Sequence, residues 1–408
     1  MAARRAANGS RIRVRMYRIG FGDCFLVTFP GPSREHHVLV DCGVHPRGNI
    51  KTMEKVIDDV IQVTGGRIDI VIATHIHQDH VAGFGECASR FARCTAGEVW
   101  MPWSEDPSDE KARQMRGRHQ ATVTKLKNHF AALDSPRFGA VQAALQNLAG
   151  NDSALRTLRG GFRNARVRYL RKGEDQPDAA GIPGLHVRIL GPGTDAAFLR
   201  QMDPPSKQRY LRATGGGTKH VDGIHPFERG WKAKLNEGHR LLERERKQLA
   251  EAASDPTAGL AFAIDQAVNN TSLVTLFEFR GRSLLFPGDA QYGNWREWID
   301  APGASGLLAK LDFYKVSHHG SVNATPKSAL ERMTSGSLAA MVSTQSEPWE
   351  SIPEPKLMAA LKRKAGRGVV RSDSLRIEGG PKGPKAGRLP RGFSSGKLWF
   401  DYTMPLES

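Results

Sequence analysis

Thr74-His75-Ile76-His77-Gln78-Asp79-His80-Val81-Ala82-Gly83 places three histidines and one aspartate within six consecutive positions, 75 to 80. The stretch follows Ile68 to Ala73, a mostly apolar run that reads as a buried strand. A strand that ends in imidazoles and a carboxylate presents metal ligands on a rigid support, and these donors suit zinc and its first-row neighbours. His75 and His77 are two positions apart, so in an extended segment they face the same side. Asp79 and His80 come after the chain turns and approach from another direction. One segment can therefore serve two adjacent ions. The competing reading is a histidine cluster on a solvated loop or in a disordered tract. The apolar strand before the cluster and the small-residue helix start after it, Val81 to Phe91, argue against disorder.

The chain has 408 residues, enough for one large domain or two ordinary ones. Its 39% hydrophobic content supports a sizeable core but falls below the globular average, which implies long polar insertions. The four cysteines, Cys24, Cys42, Cys87 and Cys94, show no C-x-x-C spacing. Cys24 and Cys42 lie in strand-like contexts and read as buried thiols, a usage that fits a reducing cytoplasm. No run of eighteen apolar residues exists, so no membrane span is expected. Residues 1–10 read as a disordered basic start rather than a secretory signal. The net charge of +17 would concentrate polyanions such as nucleic acid near the surface, although ordinary solubility also calls for charge.

Outward from the histidine stretch, strands and helices alternate in both halves, which points to a layered α/β domain. Arg11 to Tyr17, Cys24 to Phe29 and Val38 to Val40 read as strands. Thr52 to Val63 reads as an amphipathic helix stopped by Gly65-Gly66. Two Arg/Lys-rich segments, about 104–181 and 194–258, read as insertions within a single domain over 11–380. Gly215-Gly216-Gly217 reads as a hinge or loop, and Lys232 to Ala252 as a charged helix. After Phe262 come a hairpin around Arg280-Gly281-Arg282, a strand from Leu311 to Val316, another from Leu338 to Ser343 and a helix from Pro355 to Lys364. Residues 381–408 read as a basic Gly/Pro-rich tail with room for a terminal strand.

Two further clusters end strands: Asp289 in Phe-Pro-Gly-Asp-Ala, and His318-His319 in Ser-His-His-Gly-Ser. The carboxyl ends of strands in an α/β sheet are where chemistry is expected. Asp289 alone could be a helix N-cap, and His318-His319 a core pair beside a turn. Together with His75 to His80 they form a distributed constellation.

The motifs T-H-I-H-Q-D-H-V-A-G, L-F-P-G-D-A and K-V-S-H-H-G-S, in this order, resemble the metallo-β-lactamase-fold hydrolases. Within that superfamily the chain looks most like the soluble hydrolase domain of the ComEC competence protein and its stand-alone relatives, through G-F-G-D-C, V-D-C-G and N-N-T-S-L-V. The resemblance covers roughly residues 11–103, 183–193 and 260–380. It implies a four-layer αββα sandwich carrying the two basic insertions. It implies a site of one or two zinc ions, with Mn2+ as an alternative. His75 and His77 would bind one ion, Asp79, His80 and His318 the other, and Asp289 would bridge them. A metal-bound hydroxide would attack the substrate, since a bound metal lowers the pKa of water to about 7. Asp79 and His319 would carry catalytic roles, with His318 and His319 able to exchange places. Asp41 would orient a ligand histidine. Many superfamily members have one more histidine before the bridging aspartate. Here His119, His129, His186, His220, His225 and His239 stand outside a recognisable motif, and the Asn269-Asn270 pair is the alternative occupant of that corner. A late His-Pro of the relatives is replaced by Ile352-Pro353.

Charge is the discriminator for substrate. Arg156, Arg159, Arg163, Arg166 and Arg168, punctuated by Phe162 and Tyr169, could track a nucleic-acid strand and stack its bases, or could be a solvated helix face. The first hypothesis is a metal-dependent phosphodiesterase or nuclease acting on DNA or RNA. The second is a hydrolase of a small ester, lactone or cyclic nucleotide. The third is a non-catalytic nucleic-acid-binding protein with a structural metal.

Overall fold

Alternation in Arg11–Tyr17 makes β1, and two apolar runs make β2 (Cys24–Pro30) and β3 (Glu35–Cys42), a three-stranded antiparallel meander. α1 (Met53–Thr64) buries Met53, Val56, Ile57 and Val60 at helical spacing, and Gly65 ends it in the left-handed region. β4 (Arg67–Ile72), α2 (Gln78–Glu86) and β5 (Thr95–Pro102) follow, with β3, β4 and β5 parallel. Three helices, α3 (Glu110–Leu133), α4 (Gly139–Asn147) and α5 (Asp152–Gly160), lead to β6 (Arg166–Leu170), which is parallel to β5. The second half contributes β7 (Leu185–Gly191) and the hairpin β8 (Val274–Phe279) and β9 (Arg282–Phe286). Then come α6 (Tyr292–Ile299), β10 (Phe313–Lys315), β11 (Ala339–Val342), α7 (Pro355–Lys364), β12 (Gly368–Arg371), β13 (Phe393–Ser395) and β14 (Trp399–Pro405). This computed structural model describes residues 11–46, 48, 52–133, 139–148, 151–201, 203–209, 264, 267–345, 352–373 and 389–406.

The strands form an eight-stranded sheet, in the order β13-β14-β1-β2-β3-β4-β5-β6, and a six-stranded sheet, in the order β12-β11-β10-β9-β8-β7. Side chains that alternate along both sheets meet in one core, where Phe25 lies against Phe286 and Phe29 against Phe277. The opposite face of the first sheet packs on α1, α2 and α5. The opposite face of the second packs on α6, α7 and the short helices between them. The fold is thus the expected four-layer αββα sandwich. All four cysteines are buried and unbridged.

Two segments differ from their reading. Residues 104–181 do not form a separate insertion throughout: α5 packs on α2, and β6 is the last strand of the first sheet. The alternation Arg-Val-Arg-Tyr-Leu is that of an edge strand, whose charged residues give it the composition of an insertion. In the 381–408 tail, β14 pairs with β1 from Arg11↔Pro405 to Tyr17↔Trp399, and so belongs to the domain's own first sheet. Most of the 194–258 segment, with Gly215-Gly216-Gly217 and Lys232 to Ala252, lies outside the described residues, as do residues 1–10 and Leu375 to Ile377.

At the far end of β3 from its Asp41, a polar cluster supports the sheet. Asp69 accepts from His37 N (2.8 Å) and Arg34 Nη1 (3.0 Å), and His37 Nδ1 lies 3.2 Å from Thr28 Oγ1. Burial pushes the His37 imidazole down to about 4, against the pull of Asp69 and with help from Arg13, Arg34 and His36. Because the folded pKa lies below the unfolded one, His37 contributes stability above the unfolded value that is lost as pH falls toward the folded one. The slope is about 1.4 kcal/mol per pH unit where only the unfolded chain is protonated. His37→Gln is expected to flatten the acid side of the stability curve in thermal melts from pH 7 to 4 in EDTA. An unchanged slope would assign the acid sensitivity elsewhere.

Candidate metal centre

β3 and β4 run side by side with Val40 opposite Ile72, so their ends deliver Asp41 and Thr74 to one place. Asp41 turns there with φ +56°. Its Oδ1 accepts from Thr74 N (2.7 Å), and its Oδ2 from Thr74 Oγ1 (2.8 Å) and His80 Nδ1 (2.8 Å). The chain then enters α2, with Asp79 and His80 in its first turn. From the other sheet, Pro287-Gly288-Asp289 follows β9. Gly288 has φ +55°, and a Cβ there would come within 2.8 Å of the Thr74 side chain, so glycine allows the two sheets to close on each other. After β10 the chain makes a tight turn in which His318 and His319 both have positive φ, 44° and 52°. That turn aims His319 inward, where its Nδ1 donates to Ser343 O (2.8 Å).

His80 Nε2 lies 3.1 Å from Asp289 Oδ2, and His319 Nε2 lies 3.2 Å from Asp79 Oδ2 and 3.3 Å from Asp289 Oδ2. The ligand-type atoms of Asp79, His80, Asp289 and His319 all fall within 4.8 Å of one another, and those of His75, His77 and Asp79 form a second such group. His75 Nε2 and His77 Nδ1 are 3.0 Å apart. The acceptors on the far side of the rings fix the tautomers. Ser343 O can only accept, and so can the Asp41 carboxylate, so Nδ1 carries the proton in both His319 and His80. Each ring then turns Nε2 toward carboxylate oxygens, a contact that calls for positive charge: a proton on Nε2, or a cation once that proton leaves.

The electrostatics agree. Burial opposes charge on His80, yet Asp289, Asp41, Asp79 and Asp23 hold its pKa well above the ordinary value. Burial likewise opposes charge on His319, but Asp289, Asp79 and Asp23 lift it to about 10. His75 and His77 go the other way. Burial and neighbouring imidazoles hold His75 well below its usual value, and burial takes His77 down to about 3, so both are neutral and ready to ligate. Asp79 Oδ1 is buried with no hydrogen-bond partner among the described residues. Imidazole nitrogens, carboxylates and an orphaned buried oxygen fit a divalent first-row ion.

The structure brings His319 into the four-residue group and leaves His318 outside it. His318 Nε2 is 3.9 Å from Asp289 Oδ2, its Nδ1 faces Asn323 Oδ1 at 3.2 Å, and its side chain is 18% exposed. Asp289 caps no helix, since α6 starts after Gln291. Asn270 does not reach the metal corner. Its Nδ2 donates to Leu199 O and Gln201 O, and its Oδ1 accepts from Gln291 N and Asn294 N, so it braces the chain beyond Asp289. Of the spare histidines, His129 is exposed, His186 pairs with Glu278 on the surface at 3.4 Å, and His119 is on α3; His220, His225 and His239 lie outside the described residues. Arg156 and Arg159 project from α5, Arg163 donates to Arg93 O, and Arg166 lies on β6. Phe162 is buried against Phe84 and Phe91 and presents no face for base stacking.

Two residues escaped the sequence reading. Asp23, in the Gly-Phe-Gly-Asp turn, donates its N–H to Asp79 O (2.8 Å) and places its carboxylate beside His80 and His319. Lys315, at the end of β10, sits 2% exposed between Asp23 and Asp289. Its signal was a charged side chain inside an apolar strand.

Among solved structures, the chain is similar to the metallo-beta-lactamase fold protein YhfI from Bacillus subtilis, at 9% identity and TM-score 0.36, covering 88% of this chain and 95% of that one. It is also similar to unliganded yeast PDE1, at 10% identity and TM-score 0.39, covering 89% and 97%. A third, described as a new diphosphatase from the PhnP family, shares 10% identity at TM-score 0.33, covering 95% and 87%. No curated protein sequence matches the chain. The family model of the metallo-beta-lactamase superfamily matches residues 17–100, the segment that supplies Asp23, Asp41, His75, His77, Asp79 and His80. Over residues 17–100, then, the chain is similar to the metallo-beta-lactamase superfamily.

Proposed function

We propose that this domain is a metal-dependent hydrolase of phosphodiester bonds, with a nucleic acid as the substrate class. The observation that carries the hydrolase reading is the convergence of the His80 and His319 Nε2 atoms on Asp79 and Asp289 at the strand ends of both sheets. When bound, zinc or manganese supplies an activated water and positive charge for the attacked oxygen. Asp41 and the Ser343 carbonyl hold the proton on Nδ1 of His80 and His319, keeping both Nε2 atoms available. His75 and His77 offer neutral nitrogens. His318, at the outer edge of the cluster, is kept neutral chiefly by burial and turns Nδ1 toward Asn323 Oδ1, so its bare Nε2 is placed to accept a proton from the attacking water.

The net charge of +17 supports a polyanionic substrate. Buried Phe162 means that the arginines of α5 and β6 would act through charge rather than stacking. The test is metal analysis of the purified protein, followed by assay on single- and double-stranded DNA and RNA with Mn2+ or Zn2+. Asp79→Ala is expected to remove cleavage. Retained cleavage would reject the site. Turnover of small esters or cyclic nucleotides, untouched by added nucleic acid, would favour the small-substrate reading. Tight nucleic-acid binding with no cleavage would favour a binding protein. Among the described residues no helix is long and apolar enough to cross a membrane.

A further inference from the structure

β10 is buried along its length, yet it ends in a lysine. Lys315 Nζ touches Asp23 Oδ2, lies 3.3 Å from Asp289 Oδ1 and donates to Gly288 O at 2.9 Å. Desolvating an ammonium is expensive unless it is paired and hydrogen-bonded, and here all three contacts belong to the metal-centre loops. The pairing divides Asp289: Oδ1 faces Lys315, while Oδ2 faces His80 and His319. Four buried carboxylates, Asp23, Asp41, Asp79 and Asp289, converge in this region. Lys315 is the fixed positive charge set among them. An imidazole can release its proton to an arriving ion, but this ammonium is locked between two carboxylates and stays.

We propose that Lys315 is a resident counter-charge for the carboxylate cluster: it holds Asp289 and Asp23 in register before any ion binds, and it limits how tightly a divalent ion is held. The second half rests on the reading of the site as a metal centre. The physical basis is Coulombic. A like charge a few ångströms from a cation site weakens cation binding, and its removal leaves unopposed carboxylates that repel one another until an ion arrives. A merely structural lysine would behave differently, since a pocket damaged by its loss binds metal more weakly.

The experiment compares wild-type protein with Lys315→Met in two arms. In EDTA, thermal unfolding reads the empty site, and K315M is expected to melt several degrees lower. With added Zn2+ or Mn2+, calorimetric titration is expected to show K315M binding at least about tenfold tighter, and the metal-induced rise in Tm to be larger than in wild type. Equal melting in EDTA, or metal affinity that is unchanged or weaker, would overturn the proposal. If K315M does not fold, Asp23→Asn combined with Lys315→Met removes both members of the pair. That double variant is expected to fold and to bind metal no more weakly than wild type, because one positive and one negative charge leave together, and weaker binding would overturn the proposal as well. A wild-type protein that binds no divalent ion at all would overturn the metal-centre reading. The EDTA arm uses no metal, so it would still decide whether Lys315 holds the empty site together.

Discussion

Asp289→Ala is expected to strip the domain of bound metal and to lower hydrolysis by about a thousandfold or more. Among the described residues, Asp289 Oδ2 is the one oxygen within 3.3 Å of both His80 Nε2 and His319 Nε2. Removing it separates the ligands of one sheet from the histidine of the other. The loss combines weakened metal affinity with lost stabilisation of charge in the transition state, and single groups of that kind are worth roughly 10²–10³ in rate even without metal loss. Metal content after dialysis and initial rates at saturating Mn2+ or Zn2+ check the result. Asp289→Asn separates the loss of charge from the loss of volume, because it retains the shape beside Lys315. A variant that keeps both its metal and its rate would remove Asp289 from the site.

The second large effect is expected from a residue with no place in the ligand group. Asp41→Asn should weaken metal binding by about 10–100-fold. Asp41 accepts from Thr74 N, Thr74 Oγ1 and His80 Nδ1. In the amide, the fixed Thr74 N–H retains the oxygen, so the NH₂ group takes the position facing His80. That imidazole must then accept at Nδ1 and carry its proton on Nε2, the atom turned toward Asp289. The ring stays in place but presents a proton where a lone pair is required. Nitrogen NMR of the histidine rings would show the tautomer change alongside the affinity loss. Weakened binding with an unchanged tautomer would sink the argument.

The histidine cluster, Asp289 and the two-sheet architecture were legible because each is local. An apolar run followed by metal-binding side chains is a pattern within ten residues, and layered sheets follow from alternating runs. The choice between His318 and His319 was not legible, since it depends on two consecutive residues with positive φ, a conformation that adjacent side chains do not announce. The bracing role of Asn270 was not legible either, because the backbone atoms it holds come from chain segments far apart. Lys315 and Asp23 escaped for a related reason. They are almost three hundred residues apart, and their meeting is a property of sheet closure that no local pattern carries. β6 and β14 were read as insertion and tail because edge and near-edge strands carry charge and proline, which blunts their apolar signal.

The pairing of β14 with β1 has a consequence for how the chain acquires its shape. Arg11 finds its partner in Pro405, so β1 leaves the ribosome well ahead of the strand it pairs with. At roughly 5–20 residues per second, that wait is tens of seconds long. Throughout it β1 offers an open row of amides and carbonyls, beside a half-built core that other chains can reach. The expense of this arrangement falls on biosynthesis: nascent molecules need shielding until the closing strand arrives, and production should be more sensitive to translation speed and chaperone supply than the finished fold would suggest.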